Sequence, residues 1–297
     1  MYPEVGQSLI IQNTAYNFVD HPSAPKMVYA QEGRKAIVFQ IRDESGKSYA
    51  LKVFKSSYRN KTIEVVSKKL AEFSNLPGLS IANRTVITHD GNSKLINRYP
   101  DLEYSILMPW IEGITWVEFI QSKKQLSQEK STALAEALIH VLKSLEENKL
   151  AHTDISGSNV IINPQLNKVE LLGVEGMFGI SFPKPAFLHR GSWGYSRQNT
   201  ENLWCPEGDR FAGAILLVEM MCWRESLIRE ASSDESYFEP EEIGKKSSKY
   251  TLMLSVLETI SPRLSKLFSQ VWEASTLSRN PKFTEWNSAF SQLNEGG

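Results

Sequence analysis

The chain has 297 residues, 41% of them hydrophobic and 23% charged, with a formal net charge of −1. That is ordinary globular composition for one large domain or two small lobes, and its near-neutral balance gives no bulk attraction for nucleic acid or a membrane surface. Two cysteines, Cys205 and Cys222, are too few for a disulfide framework and fit no structural zinc spacing, so both are expected as buried thiols in a reducing cytoplasm. The first residues lack a basic segment followed by an apolar run, so no signal peptide is expected. The most apolar stretch, residues 211–223, is interrupted by Glu219 and falls short of the roughly 20 residues that span a bilayer. It reads as a buried core helix.

Residues 1–25, which carry Pro22 and Pro25, read as an extension before the domain proper. Strands are predicted at 26–31, 36–42 and 48–54, rich in Val, Ile, Tyr and Phe, with a turn at 44–47. From 61 to 75 the pattern is helical: Val66, Leu70 and Phe73 share a face, and Pro77-Gly78 ends the run. Residues 84–88 and 104–108 read as two further strands, separated by the Asp90-Gly91 turn and a polar stretch. Next, Leu134, Ala137, Leu138, Val141, Leu142 and Leu145 make one apolar helix face, with Ser127 as its N-cap. Short strands are expected at 160–162 and 169–172, then a loop rich in Gly and Pro, then helices to the end. This order predicts an α+β fold: a small sheet lobe at 26–108, a connection at 109–113 and a larger helical lobe at 114–297.

Residues 151–159, Ala-His-Thr-Asp-Ile-Ser-Gly-Ser-Asn, lie between an apolar helix and a strand. They resemble the catalytic loop of protein kinases, H-x-D-x-x-x-x-N. Tyr49-Ala50-Leu51-Lys52-Val53 resembles the third-strand lysine motif of that family, and Met108-Pro109-Trp110-Ile111-Glu112-Gly113 looks like its hinge. Gly191-Ser192-Trp193-Gly194-Tyr195 resembles the end of an activation segment. Asp209-Arg210-Phe211-Ala212-Gly213 resembles the start of the central helix whose Asp braces the catalytic loop, and Arg279 sits where a late structural arginine would be. The resemblance extends from about Val28 to Phe283 and implies a two-lobed protein kinase-like fold, with an antiparallel sheet and one helix in the small lobe. It implies ATP in a cleft formed with Gly33, Val38, Ala50, Lys52, Met108, the Pro109 carbonyl and the Ile111 N–H. Asp154 is then the base for a substrate hydroxyl, with His152 and Lys52 completing the catalytic set, and Asn159 a ligand for Mg²⁺. A protein substrate or protein partner is implied.

The pattern also departs from the family. Gly173 stands where the metal-binding Asp of the D-F-G motif is expected, and Glu175, two residues on, is the available substitute. Of the phosphate loop's glycines only Gly33 remains, with Ala36 a mild replacement; Glu32 would repel phosphates unless Arg34 and Lys35 offset it. Ser156 stands where these kinases place a Lys, and either Glu64 or Glu72 is available to pair with Lys52. The A-P-E triplet reads Arg197-Gln198-Asn199, leaving Glu201 or Glu207 as the partner for Arg279. The expected function is therefore a catalytically impaired pseudokinase that signals by binding. The alternatives are an active Ser/Thr kinase using Glu175 and Asn159 for metal, and a small-molecule phosphotransferase like the aminoglycoside and choline kinases, which share the loop. Ser181 and Ser192 are conceivable phosphorylation sites near Arg190 or Arg197, and Trp110 and Trp116 read as packing residues.

Overall fold

A computed structural model describes residues 3–197 and 202–295 and divides the chain into two compact units. One holds the chain up to Asn75 together with Leu79–Ile111; the other holds Leu76–Gly78 and everything from Glu112 onward.

The first unit begins with a hairpin of β1 (Ser8–Ile11) and β2 (Thr14–Phe18). Its two turn residues, Gln12 and Asn13, both have positive φ, the twist that suits a two-residue antiparallel connection. β3 (Asp20–His21) and β4 (Ala24–Val28) make a separate two-stranded ribbon. β5 (Ala30–Glu32), β6 (Ala36–Asp43), β7 (Ser48–Phe54), helix α1 (Thr62–Ala71), β8 (Thr85–Val86), helix α2 (His89–Arg98) and β9 (Ile106–Pro109) follow. The main sheet is antiparallel throughout, in the order β1-β2-β6-β7-β9-β8, with β5 paired to β6. Residues 8–18, expected as an extension, are thus the sheet's first two strands. Leu9, Ile11, Tyr16 and Phe18 alternate inward and join Phe39, Ile41, Leu51 and Leu107 in one core. The polar stretch after Asp90-Gly91 is also not a connector. Gly91 kinks it, and the helix beyond buries Leu95 and Ile96 against the same core.

In the second unit, β10 (Ile114–Thr115), helices α3 (Trp116–Ser122) and α4 (Gln128–Glu147), and strands β11 (Val160–Asn163) and β12 (Lys168–Leu171) come first. The three strands form a small antiparallel sheet. Helices α5 (Arg210–Cys222), α6 (Ser226–Ala231), α7 (Ser248–Ile260), α8 (Pro262–Glu273) and α9 (Phe283–Glu295) complete it. Local signals set the helix starts. Thr115 and Glu118 close a reciprocal capping box on α3, and Ser127 accepts the Lys130 N–H at the head of α4, as its sequence predicts. In α5 every residue except Ala212 is buried, the signature of a helix surrounded by other elements. Glu146 of α4 receives Arg210 Nε at 2.6 Å and the Phe283 N–H at 2.9 Å, tying α4, α5 and α9 together. Among the described residues no helix is long and apolar enough to cross a membrane.

Candidate functional site

In the second unit the loop after α4 is positioned from below by Asp209, the residue that precedes α5. Its two carboxylate oxygens accept the backbone N–H groups of His152 (2.5 Å) and Thr153 (2.7 Å). Burial pushes the Asp209 carboxyl pKa up, against the charge of His152 and those two donors. Thr153 needs this support because its φ is +68°, a conformation that a β-branched residue rarely adopts. The His152 ring is fully buried, with Nε2 2.5 Å from the Leu172 carbonyl. That ring braces the loop against the segment after β12; it is placed to position other groups and not to touch a substrate.

Asp154 sits half-buried in a ring of donors. Its Oδ1 accepts Ser192 Oγ at 2.9 Å; its Oδ2 accepts Asn159 Nδ2 at 3.1 Å and lies 3.2 Å from His189 Nδ1. Burial works against ionisation here. His189 by hydrogen bond and charge, then His152 and Ser192, outweigh it and lower the carboxyl pKa. Asp154 is therefore a carboxylate at neutral pH with a hydroxyl donated to it, the requirement for a general base. Ser156, which stands where kinases place a Lys, bonds Ser158 Oγ at 3.1 Å, and His189 reaches Asp154 from the loop beyond. A single histidine in a loop carries no spacing signal, so nothing in the sequence singled it out.

Asn159 uses its Nδ2 on Asp154, both at Oδ2 and at the backbone carbonyl (2.8 Å). Its Oδ1 faces Gly173: a Cβ built there would lie 3.1 Å from it. The Leu172 N–H donates to the Asn159 carbonyl, which holds the two segments together. Gly173 has φ +71°, and its side-chain direction points at the one hard oxygen donor of the expected metal site, yet it carries no ligand atom. Glu175 was expected to compensate by sharing Gly173's direction along an extended segment. The segment is a 3-10 turn, Val174–Gly176, in which residues two apart point different ways. Among the described residues no group of three or more His, Cys, Asp and Glu side chains could hold a metal. What bears on Mg²⁺ is position 173: that ion is held through one or two carboxylates together with substrate phosphates, and Gly173, facing Asn159 Oδ1, offers none, so the donors at this spot fit it poorly.

In the first unit the strand register gathers the expected nucleotide residues. Lys52 pairs directly with Val38 on one side and Ile106 on the other; Ala50 pairs with Gln40 and Met108. Cross-strand partners share a sheet face, as do residues two apart, so Val38, Ala50, Lys52 and Met108 lie on one face. It is the face opposite the one that supplies Phe39, Leu51 and Leu107 to the core. Lys52 Nζ lies 5.3 Å from the Phe54 ring centroid. Glu64 and Glu72 are engaged by lysines of their own helix region, Lys68 at 2.9 Å and Lys69 at 3.4 Å. Gly33 sits in the short turn between β5 and β6 with ordinary φ, and a Cβ there would meet only van der Waals contact. Its backbone does not require glycine. Glu32 is held by Lys55 at 2.7 Å. Pro109 pairs with Tyr49 at the end of β9, and Ile111 closes this unit.

The remaining expected residues divide cleanly. Trp116 is fully buried against Phe119 and Trp223, and Trp110 packs on Tyr29, so both are packing residues. Arg279 is exposed and donates to Ser275 Oγ. The buried arginine of this region is Arg210, which bonds Glu146 and the carbonyls of Ser278 and Asn280. Arg197 donates to the Val271 and Trp272 carbonyls and lies over Phe211. Gln198, Asn199 and Glu201 lie outside the described residues. No protein-family model matches the chain, and no curated protein matches it in sequence.

Proposed function

We propose that the chain is a protein-kinase-like signalling protein, two-lobed, with an ATP-type nucleotide cleft and catalysis impaired at the metal site, acting through a protein partner. Three features support the reading. The motifs follow the kinase order along an α+β chain, Asp209 braces the loop carrying Asp154 and Asn159, and Val38, Ala50, Lys52 and Met108 share one sheet face. The observation that carries the impairment is Gly173, aimed at Asn159 Oδ1 without a carboxylate. Phosphoryl transfer depends mainly on neutralising the β- and γ-phosphates, so losing the principal Mg²⁺ ligand removes most of the catalysis while leaving Asp154 intact.

One observation favours a second reading, an active Ser/Thr kinase using Asn159 and Glu175. The Ser192 hydroxyl already rests on ionised Asp154, as a substrate hydroxyl would. Calorimetry with ATP, with and without Mg²⁺, separates the two. The wild type is expected to bind ATP with less than about a threefold effect of Mg²⁺, under about 0.7 kcal/mol. Gly173→Asp, which adds a carboxylate at a left-handed position that Asp tolerates, is expected to gain at least about a tenfold metal dependence. Strong Mg²⁺ dependence in the wild type that disappears in Glu175→Ala would overturn impairment in favour of the active kinase. Absence of ATP binding in both proteins would overturn the nucleotide cleft itself.

A further inference from the structure

Two neighbouring stretches of the second unit carry opposite charge. Residues 176–197 contain Lys184, Arg190 and Arg197 and no carboxylate. Residues 230–244 contain Glu230, Asp234, Glu235, Glu239, Glu241 and Glu242 and neither lysine nor arginine. One buried carboxylate fastens the two stretches side by side. Glu219 of α5, fully buried, accepts the Tyr195 hydroxyl at 2.7 Å from the first stretch and the Tyr237 backbone N–H at 2.7 Å from the second. Beside that staple, Gly194 sits so tightly on Ser236 that a Cβ there would collide with it.

The first stretch also exposes aromatic side chains. Trp193 is 76% exposed and Phe187 is 85% exposed. The residues that bond Asp154, His189 and Ser192, lie between them in sequence, so the segment that carries both aromatics is tied to that carboxylate. Lys184, which lies over the Trp204 ring, and Arg190, Asp234 and Glu235 are exposed as well.

A surface that sets a basic stretch beside an acidic one, with exposed aromatics on the first, is complementary to itself. Turned by half a rotation about an axis through the seam, the basic stretch of one copy meets the acidic stretch of the other, twice over. We propose that this face binds a second copy of the chain in an isologous dimer. Trp193 and Phe187 lie at its centre, and Lys184 and Arg190 face Asp234 and Glu235 of the second copy. The proposal does not depend on the nucleotide reading, since every residue in it lies outside the expected ATP set.

Sedimentation velocity on the 297-residue chain, over about 1–100 µM, tests it through charge reversal. Lys184→Glu with Arg190→Glu places acid against acid in a homodimer, and Asp234→Lys with Glu235→Lys places base against base. Each double variant alone is expected to sediment as a monomer, and an equimolar mixture of the two is expected to dimerise again, because their faces complement each other. Trp193→Ser is expected to weaken the wild-type dimer at least about tenfold, and raising salt should weaken it further. All these positions are exposed, so unchanged thermal midpoints of the monomers confirm that folding is retained. A wild type that stays monomeric throughout the range, a dimer that survives both charge reversals, or a mixture that fails to reassociate would each overturn the proposal.

Discussion

Thr153 is held in a conformation that costs of order 1–3 kcal/mol for a residue of its kind, and it persists because its surroundings over-determine it. Asp209 accepts its N–H, and its own hydroxyl donates to the Gly176 carbonyl at 3.2 Å. Removing the brace with Asp209→Ala leaves the buried N–H groups of His152 and Thr153 without acceptors, at about 1–3 kcal/mol each. A loss of about 2–5 kcal/mol is expected in urea unfolding, with Asp209→Asn losing less because it keeps one acceptor oxygen. A loss under about 1 kcal/mol would mean that the loop keeps its shape without Asp209. The part played by Asp209 was expected only through the resemblance of residues 209–213 to the start of the kinase central helix. That of His189 was not, because a contact between a loop histidine and a carboxylate 35 residues earlier leaves no periodic trace.

At the scale of an element, α5 combines an apolar surface on nearly every side with one carboxylate near its C-terminal end. Burial raises the Glu219 pKa from 4.5 to about 7, against the opposing donors Tyr237 N–H, Tyr195 OH and Trp116 Nε1–H. The protonated form is favoured more strongly in the folded chain than in the unfolded one. Its contribution to stability is therefore complete below about pH 4.5 and is lost as pH rises through about 7. The stability difference between wild type and Glu219→Gln, followed by thermal melts, should shift against the wild type from pH 5 to pH 8, an interval of about three units. A constant difference across that interval would show that Glu219 does not titrate there. The sequence marked residues 211–223 as a core helix with Glu219 as an interruption. It could not reveal the three donors, which come from positions 116, 195 and 237. Helix α2 escaped notice for the opposite reason: its residues are mostly polar, and only Asn92, Leu95 and Ile96 are buried.

For the whole molecule, the α+β class was legible because period-two strand patterns precede helical ones. The outer boundary of the sheet was not. Pro22 and Pro25 suggested an extension before the domain, whereas they sit in and beside a two-stranded ribbon, where a missing N–H is tolerated. The consequence is testable by deleting residues 1–18, which takes Leu9, Ile11, Tyr16 and Phe18 out of the first unit's core. At about 1.5–3 kcal/mol for each large apolar side chain, this loss rivals the total stability of a typical domain. Hydrogen exchange of the truncated chain should show fast exchange through β6 and β7 and continued protection of α4 and α5. Slow exchange throughout would mean that the remaining strands suffice.

The short piece Leu76–Gly78 belongs to the second unit although the chain on both sides of it belongs to the first. Its Gly78 carbonyl accepts the Leu171 N–H at 2.8 Å, and its α-carbon lies so close to Val141 that a Cβ there would sit 2.6 Å from Cγ2. The polypeptide therefore passes between the units at 75/76, at 78/79 and at 111/112. No single cut in the gene yields two self-sufficient halves: a fragment starting at residue 112 lacks a backbone strut that lies more than thirty residues upstream of its own first codon. An exchange of one unit for a foreign one must therefore carry this small loop along.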